Sequence, residues 1–449
     1  MSCLLKICLL TVLILHSTLP ASLEGAPSPQ DQVRTHVEQE YSSLFELYKH
    51  LHTHPELSFQ EEKTSARVAE ELRAAGYDVT TGIGQHGVVA VLRNGPGLTI
   101  LVRTDMDALP VKEQTGVPYP SSVIAKDPEG KEVPVMHACG HDMNMTCVLG
   151  ASRVLAKLKD SWHGTLVVIG QPAEERGRGA RAMLADGLFQ KFPRPDFCLA
   201  LHDSAEAPAG AISYTPGFAM ANVDSVDVIV HGIGGHGAYP HKTKDPVVLA
   251  AQIILDLQTI VSREIEPGDP AVVTVGSIHG GTKHNIIPDE VHLQLTVRSY
   301  TDEVRRQTID AIKRIVRGQA IAAGIPEDRM PDVKLGDESV AATYNNPELT
   351  GRITSVFKTW LGDANVIKAK PVMGGEDFGE FGRTSDKIPI FMFFVGGVRP
   401  DALKESQQTG KPLPSLHSPF WAPLPEPTIK TGVTAMSAAV LELMQAKTN

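Results

Sequence analysis

Apolar positions along the chain fall into periodic blocks whose spacing switches several times between helix-like and strand-like. From Val33 to Leu51 the residues Val33, Val37, Tyr41, Leu44, Tyr48 and Leu51 recur at helical spacing, which predicts one amphipathic helix. His52-Thr53-His54-Pro55 closes it, because the residue before a proline is driven away from helical angles. A second helix is predicted over 61–75, stopped by Gly76. Two β-rich runs follow, 87–92 and 98–102, the second leading into Thr104-Asp105-Met106-Asp107. The pattern then repeats. A helix over 143–158 precedes a strand over 165–169, which ends in Pro172-Ala173-Glu174-Glu175; a helix near 180–188 precedes a strand over 197–201, which ends in His202-Asp203. Continuous apolar strands alternating with helices predict an α/β unit around a buried parallel sheet. The carboxyl ends of such strands lie on one edge, where ligands bind, so Asp105, Asp107, Glu174, Glu175 and His202 are expected to converge there.

Near Gly217 the pattern changes. Residues 221–232 alternate as a half-buried strand does, 246–261 reads as a helix, 271–278 and 291–299 as strands, and 301–323 as a second helix. Two helices with antiparallel-type strands make a self-contained α+β unit inserted into the first one. Beyond Pro331 the α/β pattern resumes, with a helix over 347–361, the turn Met373-Gly374-Gly375-Glu376-Asp377-Phe378, a strand over 389–395, the loop Leu416-His417-Ser418-Pro419 and a final helix over 428–445. The expected organisation is a leader over 1–25, a catalytic-type domain over 30–216 and 332–449, and an inserted domain over 217–331. A length of 449 residues fits two or three domains.

The leader follows from Lys6, the apolar run Ile7 to Leu15, and Pro20-Ala21-Ser22 before Gly25-Ala26, which together resemble a secretory signal cleaved near residues 22–26. That run is too short to span a bilayer, and no other stretch is expected to reach the ~20 apolar residues required. The mature chain is therefore expected to be soluble and secreted or periplasmic. A net charge of -10 argues against nucleic acid or an anionic membrane surface as partner, since both call for a basic face. Cys139, Cys147 and Cys198 remain after the leader, an odd number, so disulfides do not organise the fold. Asn144-Met145-Thr146 has the form of a glycosylation acceptor but lies in a predicted helix beside the candidate site, and is taken as a chance match.

The densest chemistry is His137-Ala138-Cys139-Gly140-His141-Asp142. A Cys and a His two apart at a helix start can face one metal ion; on these residues alone a buried thiol beside surface histidines remains open. Cys139, His141, Glu175, His202 and His417 are all metal-compatible, and five ligands with one shared suffice for two ions and a bridging water. Glu174 beside Glu175 would let one carboxylate bind metal while the other takes a proton from water. Taken singly, the Glu pair could be a solvated surface pair and His202 a satisfied core histidine, and His417 is uninformative.

Asp105-Met106-Asp107-Ala108-Leu109-Pro110, His137 to Asp142, Pro172 to Glu175, Gly234-Gly235-His236-Gly237-Ala238-Tyr239-Pro240-His241, Asn285-Ile286-Ile287-Pro288, Gly374 to Phe378 and Leu416 to Pro419 occur in the order found in the di-metal amidohydrolases. The chain resembles that branch of aminoacylases, hippurate hydrolases and auxin-conjugate hydrolases, within a larger family of aminoacylases and carboxypeptidases. The resemblance implies a zinc-exopeptidase-like α/β catalytic domain with an inserted ferredoxin-like dimerisation (lid) domain. It implies two divalent ions, Mn or Zn, with Cys139 bridging, His141 and His202 serving one ion and Glu175 and His417 the other. Glu174 would be general base and proton donor, Asp107 would support the site from behind, and His236 would reach across from a partner subunit to the scissile carbonyl. Asn285, Arg298 and Gly375 would hold substrate, although Arg298 read alone is a surface strand residue. Where the wider family has a metal-binding histidine, Asp105 stands here. The implied activity is hydrolysis of the amide of N-acyl amino acids by metal-activated water. Short peptides are the alternative substrate, and a metal-retaining but inactive binding protein is the alternative class. The intact Glu174, Glu175 and His236 speak against the last. No role is assigned to His137.

Overall fold

The computed structural model describes residues 27–445, so the leader expected over 1–25 lies outside them. An eight-stranded sheet runs in the order Asp78–Ile83, Gly87–Asn94, Gly164–Gln171, Thr99–Asp105, Phe197–Pro208, Ile390–Val398, Ile212–Tyr214, Val366–Lys368. Its four central strands, Gly164–Gln171, Thr99–Asp105, Phe197–Pro208 and Ile390–Val398, are mutually parallel. Gly87–Asn94 adds antiparallel to Gly164–Gln171 and pairs on its other side with Asp78–Ile83. The predicted buried sheet is therefore present, extended by antiparallel strands.

Helices cover both faces. Pro29–Thr53, His141–Lys157 and Pro425–Met444 pack on one face through Leu44, Leu47, Val148, Leu155, Val433 and Val440, all at most 1% exposed. Each side chain buried this fully stabilises the fold by about 1.5–3 kcal/mol. Phe378, Phe381, Met183 and Leu188 fill the other face. The helix predicted near 180–188 is two short helices, Gly179–Ala185 and Leu188–Lys191, because Gly187 turns left-handed at φ 87°.

The inserted unit has a four-stranded antiparallel sheet in the order Ala271–Gly280, Glu290–Ser299, Asn222–His231, Asp332–Leu335. Helices Pro246–Thr259 and Asp302–Ala322 pack on it through Leu249, Ile253, Leu257, Ile312 and Val316. Asp332–Leu335 takes this sheet past the expected boundary at 331. The two connections to the larger domain pair with each other, Gly217–Met220 with Thr343–Asn345.

Together with the π-helical turn Ile260–Glu264, the first of these helices is long and apolar enough, by length and composition, to cross a membrane. This corrects the expectation that no stretch after the leader reaches that threshold. Val248 and Leu255 point outward and are 55% and 71% exposed, while Leu249 and Ile253 pack on the sheet, so the apolar character covers two faces instead of one.

Candidate metal centre

The carboxyl edge of the parallel sheet gathers the site. Thr99–Asp105 delivers Asp105 and then Asp107; Gly164–Gln171 leads into the short turn Glu174–Arg176. His202 lies within Phe197–Pro208 rather than at its end, since the strand runs on beyond it. Between the first two strands, Gly140 caps helix His141–Lys157 in a left-handed conformation, φ 74°. A Cβ at Gly140 would fall on the Asp203 carboxylate, so only glycine lets the chain turn there and place Cys139 before the helix and His141 in its first turn.

The histidine rings are oriented by carbonyls. His141 Nδ1 donates to the Asp107 carbonyl at 2.8 Å and His202 Nδ1 to the Asp203 carbonyl at 2.8 Å. This leaves Nε2 of each free to bind, the arrangement metal ligands adopt. Ligand atoms of Cys139, His141 and His202 lie within 4.8 Å of one another, and so do those of Cys139, Glu175 and His417. Cys139 belongs to both groups. Its Sγ is 3.6 Å from His202 Nε2, and Glu175 Oε2 is 3.4 Å from His417 Nε2. His417 is brought in by a loop strained at φ 67° and by its N–H donating to the Ala138 carbonyl at 2.8 Å.

The arrangement fits divalent metal. His141 Nε2 and Glu175 Oε1 are buried and have no hydrogen-bond partner, although burial without a partner is unfavourable. Burial raises the Glu175 carboxyl to about 7, with Asp107 adding and His141 opposing. Against the effect of burial, Asp105 and Asp107 hold His141 well above its ordinary range. Burial and Glu175 raise the Cys139 thiol. Metal binding there would displace protons from these groups, as it does wherever thiolate, imidazole and carboxylate ligate. Thiolate with imidazole and carboxylate suits zinc and also admits manganese.

Asp107, 1% exposed, accepts the Glu175 N–H at 3.0 Å and the Ser58 hydroxyl at 2.6 Å through Oδ2, and its Oδ1 is 3.3 Å from His141 Nδ1. Glu174 is 10% exposed at the side chain, with Oε2 3.8 Å from His141 Nε2. Burial, then Glu376 and Glu175, raise its proton affinity well above that of an ordinary carboxyl. Beneath it lies a network that the sequence pattern did not indicate. Arg103, fully buried, donates to Gln171, Asp105, Glu376 and Asp377.

A cleft of about 550 Å³ opens over these groups, with Arg298, Gly375, Met220 and Phe394 in its wall. Arg298 leans on the Met373 carbonyl at 3.2 Å. A cavity of about 560 Å³ beside Gln30, Trp360 and Glu442 holds none of the clustered ligands, so chemistry rather than volume picks out the site. His236 and Asn285 sit together on the inserted unit, where the Gly237 N–H donates to the Asn285 carbonyl at 2.9 Å, but both are exposed and neither lines the cleft. Asn144 is fully buried, its amide bridging Asp105 and the Asp203 N–H, which agrees with reading its glycosylation motif as chance. His137 is 3% exposed with neither ring nitrogen hydrogen-bonded, and burial pushes its pKa down to about 4.

Parallel strands whose shared edge carries two ligand groups joined by one cysteine, with an inserted α+β unit beside the cleft, define an α/β metallohydrolase. Residues 101–408 match Peptidase family M20/M25/M40, and the chain belongs to that family and hydrolyses amide bonds. It is 36% identical over 370 residues to thermostable carboxypeptidase 2 of Saccharolobus solfataricus, covering 82% of this chain and 88% of the relative. Hippurate hydrolase of Campylobacter jejuni is 39% identical over 341 residues, covering 75% and 84%. Among solved structures, the Bacillus subtilis YXEP protein, a dinuclear metal binding peptidase from the M20 family, superimposes with a TM-score of 0.72 at 26% identity, covering 91% of this chain and 99% of that one.

Proposed function

We propose that the chain is a two-metal hydrolase of N-acyl amino acids, exported and acting as a homodimer. The observation that carries this reading is Cys139, which is common to both ligand groups. His141 and His202 would complete one ion's shell and Glu175 and His417 the other's. Two divalent ions held there would polarise an amide carbonyl and lower the pKa of a water. Glu174, mostly buried beside them and crowded by Glu376, is the base that receives the water's proton and returns it to the departing amine. Asp107 holds the His141 ring and the Glu175 backbone. Arg298, in the cleft wall, suits the carboxylate of the amino acid through its fork of donors, and Gly375 brings backbone to the same wall, with Val223 and Val340 where a Cβ would stand.

Support for the dimer comes from the inserted unit, where His236 and Asn285 stand away from their own cleft and exposed Val248, Leu255 and Ile278 offer an apolar face. The face suits a second copy, whose cleft His236 would complete by donating to the developing oxyanion. Hydrolysis of short peptides is the second reading, favoured by the carboxypeptidase relative. The test is purified protein, stripped and reloaded with zinc or manganese, assayed against N-acetyl, N-benzoyl and indole-acetyl amino acids beside dipeptides. Turnover of an acylated amino acid is expected; none under either metal would sink the proposal, and turnover of dipeptides alone would favour the second reading.

A further inference from the structure

Glu61 is a buried carboxylate with no part in the chemistry above. It stands at the N-terminal boundary of helix Glu62–Ala74, is fully shielded from solvent, and has no cation among its side-chain hydrogen-bond partners in the described residues. Oε1 accepts the Ala173 N–H at 2.8 Å, and Oε2 has no partner. Burial, reinforced by Asp107, pushes its pKa up to about 8. A side chain held on these terms is unfavourable for folding, and an apolar residue of similar size would relieve that. The reason for it lies in what its bond to Ala173 holds.

Ala173 is left-handed at φ 49°, an unusual conformation for a residue with a Cβ. It begins the tight turn from which Glu174 and Glu175 project, and the Gly179 N–H closes back on its carbonyl at 3.1 Å. Two N–H groups of this turn are taken by buried carboxylates from other segments: that of Ala173 by Glu61 and that of Glu175 by Asp107 at 3.0 Å. The peptide planes before Ala173 and after Glu174 are thereby fixed, and the Gly179 N–H on the Ala173 carbonyl holds the plane between them. Asp107 also orients His141, whereas outside its own segment, where the Glu61 and Phe59 backbone also stabilise its charge, Glu61 bonds only to this turn.

We propose that Glu61 is a positioning residue, which by holding the Ala173 N–H fixes the left-handed turn that aims Glu174 at the water and Glu175 at metal. The catalytic half of this assignment rests on the amide-hydrolase reading above; the structural half does not. Metal-loaded wild type, Glu61→Gln and Glu61→Leu are compared by hydrogen exchange of the Ala173 amide and by kcat and KM on the best acylated amino acid. Glutamine keeps an acceptor oxygen, so exchange and kcat are expected within about threefold of wild type, whereas leucine should speed exchange and lower kcat by about tenfold to a hundredfold with KM little changed. Leucine keeping wild-type kcat, with or without amide protection, overturns the proposal, as does glutamine losing as much as leucine. Should the leucine variant fail to fold, the glutamine variant decides alone: retention of protection and kcat supports the assignment and loss of either refutes it. If wild type turns over no acylated amino acid, the substrate reading fails, and amide exchange still judges the hold on Ala173.

Discussion

Replacing Arg103 by methionine removes a fully buried cation at modest change in volume. Its guanidinium donates to Asp105 at 2.7 Å, to Glu376 at 2.8 Å, to Gln171 at 3.0 Å and to Asp377 at 3.1 Å, and all four acceptors are themselves at most 2% exposed. They stay behind in Arg103→Met with three carboxyls uncompensated. Breaking a buried ion network from one side typically costs about 3–5 kcal/mol. At roughly 2 °C per kcal/mol for a domain of this size, the melting midpoint should fall by about 6–10 °C. The loss should also depend on pH. Burial, opposed by Arg103 and reinforced by Glu376, already raises Asp377 to about 7, while Asp105 is held below the ordinary carboxylate range against burial by His141 and Arg103. Without the guanidinium both folded-state values rise. A carboxyl whose folded pKa exceeds its unfolded value destabilises above the unfolded pKa, and that penalty shrinks as pH falls through the folded pKa. The gap between variant and wild type should therefore be wider near pH 8 than near pH 5.5. Calorimetry of metal-free protein at both pH values checks this. A fall under about 2 °C near pH 8, or a gap that widens on acidification, would refute the reasoning.

Glu174→Gln should lower kcat by about 10²–10⁴ with bound metal unchanged, measured by turnover and elemental analysis; loss of metal would show that Glu174 and Glu175 have the opposite roles. Gly140→Ala, which puts a methyl against the Asp203 carboxylate at a left-handed φ, should weaken metal binding by about tenfold or more in calorimetric titration, and unchanged affinity would contradict the account of that turn. Mixing inactive Glu174→Gln with inactive His236→Ala should restore part of the activity through hybrid dimers. No recovery after demonstrated subunit exchange would argue that each cleft is complete within one chain.

The sheet edge was legible because its cues are local. Apolar runs that stop at Asp105, at Glu174 and near His202 could be placed on one edge by the rule for parallel strands, and the structure pairs them so. Cys139 and His141 could be read as a possible half-site, but His417 entered only through the family resemblance, since a histidine between prolines carries no signal of its own. What escaped depends on distant partners. Arg103 sits inside an apolar strand, and its counter-charges Glu376 and Asp377 come from a turn far along the chain. Glu61 reads as the polar start of a helix, and its partner is a backbone N–H, which no side-chain pattern announces. Asp332–Leu335 is short and half charged, so nothing in its composition marked it as the inserted sheet's fourth strand.

The pairing of Phe197–Pro208 with Ile390–Val398 bears on how the molecule is made. As the chain is synthesised, Phe197–Pro208 can join Thr99–Asp105 at once, but its other side must wait for a strand that follows the entire inserted unit. An open apolar strand edge is a template for wrong partners during that interval. The inserted unit encloses its own core, and the pairing of Gly217–Met220 with Thr343–Asn345 brings its two ends together. Once it folds, the free chain left to close is short, and closure entropy falls with the logarithm of that length. The inserted unit, once folded, thus shortens the closure that returns the last parallel strand to its place, and variants that weaken its core should surface as aggregation during expression, ahead of any effect on turnover.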